Sequence, residues 1–108
     1  VIPRDLLPNN GTGGFMVYKN NKPVVCGFLY STNSKLALLE YIVSNPKYRE
    51  DDRQYAIEFL ITNIEEFSKS IGVKALFSIG RNNSLMKKHK KLGWYVDEKP
   101  SYEIIKRI

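Results

Sequence analysis

Ser44-Asn45-Pro46-Lys47-Tyr48-Arg49-Glu50-Asp51-Asp52-Arg53-Gln54-Tyr55-Ala56 joins an apolar run to a long amphipathic one. The run before it, Leu36 to Val43 (LALLEYIV), reads as a strand apolar enough to lie centrally in a sheet. In the run after it, Ala56, Phe59, Leu60, Asn63, Ile64, Phe67 and Ile71 follow the three-four spacing of one helical face. A strand-to-helix joint gathers free backbone N–H groups and the positive end of the helix dipole at one spot, which suits a phosphate. Such joints usually carry glycines, which let the backbone approach an anion closely. This joint carries none.

Upstream, Gly14 to Lys19 and Val24 to Tyr30 read as a hairpin around the turn residues Asn20-Asn21-Lys22-Pro23. Residues 1–13 are irregular. Downstream, Gly72 follows the last helical turn, and Val73 is placed to close a Schellman-type contact. Lys74 to Ile79 is a strand. Asn82, Asn83 or Ser84 caps a short helix, Leu85 to Leu92, which ends at Gly93. Trp94 to Asp97 and Tyr102 to Lys106 complete the chain as two further strands. The predicted order is β-β-β-α-β-α-β-β, an α/β (α+β) domain over residues 1–108 with a mixed, mostly antiparallel sheet and packed helices.

The 108 residues suffice for one domain, and 43% hydrophobic with 26% charged residues is ordinary for a globular protein. No apolar run approaches the roughly 20 residues that span a bilayer, so no membrane partner is expected. The N-terminal Val1-Ile2-Pro3-Arg4-Asp5 lacks the basic-then-apolar pattern of a secretory leader. The single cysteine, Cys26, lies in an apolar strand and is expected as a small core residue, which fits a reducing, cytoplasmic setting. No metal site is expected. The net charge of +6 is uneven: residues 1–68 hold seven Lys/Arg and eight Asp/Glu, residues 69–108 ten and three. A basic half favours an anionic partner such as a phosphorylated cofactor, an acidic protein or nucleic acid, or else serves solubility alone.

Two segments resemble the GNAT superfamily of N-acetyltransferases. Val43-Ser44-Asn45-Pro46-Lys47-Tyr48-Arg49 is similar to the family's approach to its coenzyme A loop, with one residue extra. Asn82-Asn83-Ser84-Leu85-Met86-Lys87-Lys88-His89-Lys90-Lys91-Leu92-Gly93-Trp94 resembles the family's Asn-to-Leu-Gly-aromatic block, with Asn82, Leu92, Gly93 and Trp94 at matching offsets. A narrower likeness, to small phage-encoded proteins of this type, comes through Phe28 to Ser34 and Glu40 to Pro46, and would place the chain in a host cytoplasm. The chain departs from the pattern in three ways. The loop glycines are replaced by Asp52 and Gln54, a tyrosine by His89, and the usual part before the first hairpin is reduced to residues 1–13.

The resemblance implies acetyl transfer from acetyl-coenzyme A to a small-molecule or protein amine. Ile42, Val43 and Ser44 would pair through their backbone with the pantetheine arm. The loop from Arg49 through Asp52, Arg53 and Gln54 would meet the pyrophosphate, and Asn82 would contact the arm or cap its helix. Asp51 and Asp52 either cap the helix or oppose the pyrophosphate, an opposition Arg49 and Arg53 could offset. His89 stands where the acid for the leaving thiolate would be; read alone, it is a surface residue of a lysine-rich helix. Glu40 breaks an apolar strand, either as a base acting through water or as an outward-facing carboxylate. The alternative function is a catalytically silent module binding a host protein or nucleic acid, although no nucleic-acid motif supports the latter. A reduced N-terminus leaves a sheet edge that a homodimer would cover.

Overall fold

The computed structural model describes residues 2–108. Two 3₁₀ turns, Arg4–Leu6 and Pro8–Gly11, lead into β1 (Gly14–Lys19). β2 (Lys22–Tyr30) and β3 (Leu36–Ser44) follow, then α1 (Arg53–Ser70), β4 (Ala75–Phe77) and α2 (Asn83–Lys91). The four strands form one sheet in the order β1-β2-β3-β4. The first two pairings are antiparallel, and β3 with β4 is parallel, with α1 as the crossover. Of the N-terminal segment expected to be irregular, Val1 lies outside the described residues.

Local chemistry accounts for most boundaries. Lys19 pairs with Lys22 across a two-residue turn whose Asn20 and Asn21 have φ of 51° and 65°, the left-handed geometry that fits a tight hairpin and that asparagine tolerates. Both helices end in a Schellman motif around a left-handed glycine. At α1 the Val73 N–H reaches the Ser68 carbonyl at 3.0 Å; at α2 the Trp94 N–H reaches the His89 carbonyl at 2.9 Å. The Asn82 side chain caps α2 by accepting from the Leu85 N–H at 2.8 Å.

The core lies between α1 and one face of the sheet, where Val25, Leu29, Ala37 and Leu39 meet Leu60, Ile61 and Ile64. Gly27 lets the helix settle closely, because a Cβ there would stand 3.2 Å from Leu60. The buried stripe of α1 runs through Leu60, Ile61, Ile64 and Ser68, one step round from the expected face. Phe59, Phe67 and Ile71 are exposed instead. Ser68 is admitted to this stripe because its hydroxyl donates to the Ile64 carbonyl at 2.7 Å.

The two final strands expected at 94–97 and 102–106 do not form; residues 94–108 run without ladder pairing. β4 is only three residues long, and its short ladder with β3 offers little edge for another strand. Trp94 packs against the core, and past it exposed side-chain contacts hold the segment instead, including Lys90 with Glu98 and Arg107 with Asp5. No helix among the described residues is long and apolar enough to cross a membrane.

Candidate functional site

β3 and β4 stay paired only from Leu36 to Leu38, opposite Ala75 to Phe77. Beyond that point they diverge, for two reasons that lie in β3 itself. The first is a bulge: Phe28 faces Glu40 and Cys26 faces Val43, so Gly27 stands opposite both Tyr41 and Ile42. Tyr41 takes up the extra residue with a φ of 56°. The bulge also resets the alternation. Ala37 and Leu39 point into the core, and after it Ile42 packs against the core instead of Tyr41. The second is the buried Glu40. Its carboxylate accepts the Ile79 N–H at 2.7 Å, so a side chain stands where a ladder bond would be.

A cleft opens in the gap. Its inner part, about 180 Å³, is lined by Tyr41, Val43, Ile79 and Arg81 among others. The outer part, about 350 Å³, lies beside the start of α1 and is lined by Ser44, Arg53, Gln54, Ser84 and Lys88 among others. Ile42, Asn82 and Leu85 line both parts. The structure therefore brings together Ile42, Val43, Ser44, Arg53, Gln54 and Asn82. Past Leu38, β3 has no β4 partner, so its backbone edge toward the cleft is open to an extended ligand.

The glycine-free loop is arranged so that Asp52 turns away from the cleft. Asp52 sits at the N-cap position of α1 but makes no cap bond with its side chain. Its carboxylate instead pairs with Lys19, at the hairpin turn, and accepts the Tyr48 hydroxyl at 2.7 Å. The Lys19 hydrogen bond, then that of Tyr48, holds the Asp52 carboxyl below its ordinary value, and the same contacts push Lys19 and Tyr48 up. The Asp52 side chain thus caps none of the first α1 amides; the Arg53 N–H reaches the Glu50 carbonyl at 3.3 Å and the Tyr55 N–H the Asp52 carbonyl at 3.0 Å, which leaves the Gln54 N–H for an outside anion. Arg53 from α1 and Lys88 from α2 supply positive charge to the outer cleft. Arg49 and Asp52 are not among the residues that line it.

Neither of the two residues expected to move protons lines the cleft. His89 is only 5% exposed and lines neither part of the cleft. Its Nδ1 lies 2.9 Å from the Leu85 carbonyl, and its ring packs edge-on against Trp94 with centroids 4.7 Å apart. This is the side-chain contact of the Schellman motif: His89 and Trp94 occupy the two positions that pack together when such a helix ends. Trp94 is fixed in turn by donating Nε1–H to Glu65 at 3.1 Å. Glu40 has both carboxylate oxygens engaged, one by the Ile79 N–H and the other by Arg81 at 3.1 Å. Tyr48, Lys19, Arg81 and Lys88 were not singled out from the sequence. Lys88 was legible only as one of four lysines on α2, and Arg81 only as a loop residue after Gly80.

No family model matches the chain, and no curated protein does. Solved structures do. An aminoglycoside acetyltransferase from an uncultured soil metagenomic sample, in complex with sisomicin, superposes with a TM-score of 0.63 at 14% identity over 88% of this chain. The chain spans 65% of that protein's length. The aminoglycoside N-acetyltransferase AAC(6')-Iy, in complex with CoA, gives a TM-score of 0.61 at 16% identity, covering 87% of this chain and 75% of its own. A protein from Thermus thermophilus gives 0.65 at 10% identity, covering 98% and 88%. The mixed sheet with two packed helices is the fold of GNAT acetyltransferases.

Proposed function

We propose that the cleft binds acetyl-coenzyme A and that the chain transfers its acetyl group to an amine. The observation that carries this reading is the divergence of β3 and β4 onto the start of α1. An unpaired strand edge meets a hollow carrying Arg53 and Lys88, and Ile42, Asn82 and Leu85 are shared between the two parts of the cleft. The open edge of β3 at Ile42 to Ser44 suits the amide-bearing pantetheine arm. The Gln54 N–H at the start of α1, together with the Arg53 and Lys88 side chains, suits the pyrophosphate. The structural neighbour solved with CoA has the same fold, which agrees with this assignment.

In the reaction the amine nitrogen attacks the thioester carbonyl, the carbon–sulfur bond breaks, and the amine proton leaves so that coenzyme A departs as a thiol. Holding donor and acceptor side by side supplies most of what such a transfer needs. Glu40 is the carboxylate closest in sequence to the β3 bulge; as a base it would act through water, since Arg81 and the Ile79 N–H already engage it. His89 has no part in this scheme.

A second reading draws on those same engaged groups: a silent module of this fold that binds a host protein or nucleic acid. Calorimetric titration with acetyl-coenzyme A separates the two. Saturable binding that Arg53→Glu weakens by roughly ten-fold or more supports the cofactor site, the size expected for a lost charge-assisted phosphate contact. No heat at millimolar ligand would sink it. Release of free thiol in the presence of amines then distinguishes a transferase from a binder.

A further inference from the structure

On the sheet face away from α1, where the bulge lifts β3, Arg81 is held on one side by fixed partners. Its Nη1 donates to Glu40 at 3.1 Å and to the Ile79 carbonyl at 3.3 Å. Its guanidinium lies 5.3 Å from the centre of the Tyr41 ring. Tyr41 is backed by Tyr30 at 6.2 Å, and the Tyr30 hydroxyl donates to the Leu6 carbonyl at 2.9 Å. Burial works against the charge of Arg81, but Glu40 and then Glu103 outweigh it and raise the group further. The other nitrogen, Nη2, points outward and pairs with Glu103 at 2.5 Å. Glu103 is a different kind of partner. Its side chain is 54% exposed, and it sits in the unpaired C-terminal segment between Tyr102 and Ile104, which are 90% and 95% exposed.

We infer that Arg81 Nη2, at the inner cleft, is a subsite for a carboxylate carried by the amine acceptor, and that Glu103 fills it as an intramolecular stand-in. The acceptor class is then an amine of amino-acid type, and this part of the inference rests on the transferase reading above. Charge balance favours the exchange. Glu40 already neutralises Arg81 from below, so replacing Glu103 by an acceptor's carboxylate leaves the sum of charges at the site unchanged. The guanidinium is planar and pre-oriented by Glu40 and Tyr41, which suits fork recognition of a carboxylate. Arg81 lines the inner part of the cleft, whereas Arg53 and Lys88 line the outer part assigned to phosphate. Displacing an exposed ion pair costs little.

Acetate is the simplest probe. It is titrated into protein carrying isotope-labelled arginine while the Arg81 Nε–H resonance, assigned by its loss in Arg81→Lys, is followed. Glu103→Gln should lower the acetate concentration at half-saturation by about threefold, the size of an exposed ion pair. Glu98→Gln, which removes the same charge from the same segment without touching Arg81, should leave it unchanged. Equal half-saturation in Glu103→Gln and the parent protein, or no acetate-dependent shift, would overturn the subsite. With acetyl-coenzyme A as donor, an amino acid should be acetylated more efficiently than its methyl ester, and Arg81→Lys should flatten that preference. Equal use of acid and ester by the parent protein, or an unchanged preference in Arg81→Lys, overturns the acceptor assignment. Failure of acetyl-coenzyme A to bind would count against the transferase reading alone, because the acetate titration decides the subsite without it.

Discussion

Asp52 decides whether a phosphate loop can dispense with glycine. A carboxylate about 4 Å from a pyrophosphate oxygen would oppose it by about 4 kcal/mol at an effective dielectric near 20. Lys19 and Tyr48 remove that opposition by holding the carboxylate on the hairpin side of α1. Removing the holder should therefore harm binding more than removing the acid. Lys19→Met is expected to weaken acetyl-coenzyme A binding several-fold, Asp52→Asn to change it by less than about twofold, and the double variant to return to the level of Asp52→Asn, a coupling that a calorimetric cycle measures. The same pair makes a pH prediction. Asp52 titrates below its ordinary 3.8, so its contribution to stability is present above that value and is lost as pH falls through the lowered one. Lys19 titrates above 10.5, so its contribution is present below that value and is lost as pH rises through the raised one. Melting curves across pH should show both flanks in the parent protein and flatter ones in Asp52→Asn.

At the scale of elements, the joints are more sharply specified than the faces. Asn82 caps α2 and lines the cleft at once, so Asn82→Ala should cost about 1 kcal/mol in denaturant unfolding and also weaken donor binding. Gly93, at a φ of 93°, should tolerate alanine poorly, with a loss of about 1 kcal/mol, although nothing lies near the added Cβ. Both positions were readable in the sequence, since caps and left-handed glycines depend on a few adjacent residues. The hairpin, β3 and the strand-to-helix joint were readable for the same reason. The buried stripe of α1 was not readable to the residue. Phe59 and Ile61 fit helical faces one step apart, and only the shape of the sheet beneath selects Ile61. His89 was misplaced by a related limit. Its burial comes from Trp94 folding back at the helix end, whereas composition alone describes a lysine-rich exposed helix. The Lys19–Asp52 pair joins residues 33 apart in the chain, and nothing local announces it.

Across the whole molecule, the weight of the fold rests on α1 and the first three strands, and past Trp94 the chain contributes mostly by exposed contacts. This sets two substitutions against each other. Ile61 is fully buried among Leu39, Leu60 and Ile64, so Ile61→Ala should cost about 2–5 kcal/mol. Removing residues 101–108 loses the Arg81–Glu103 and Arg107–Asp5 pairs, each exposed on at least one side and worth about 0–1 kcal/mol. The truncated chain should melt within about 8 °C of the parent, and Ile61→Ala well below both, in thermal unfolding followed by circular dichroism. The comparison also tests the strand expected at Tyr102 to Lys106. If that segment joined the β4 edge in solution, its removal would expose apolar sheet and destabilise the protein as severely as Ile61→Ala. Equal losses in the two variants would therefore place the C-terminal segment in the sheet; a small loss keeps it at the rim of the cleft, where Glu103 can leave Arg81 without disturbing the core.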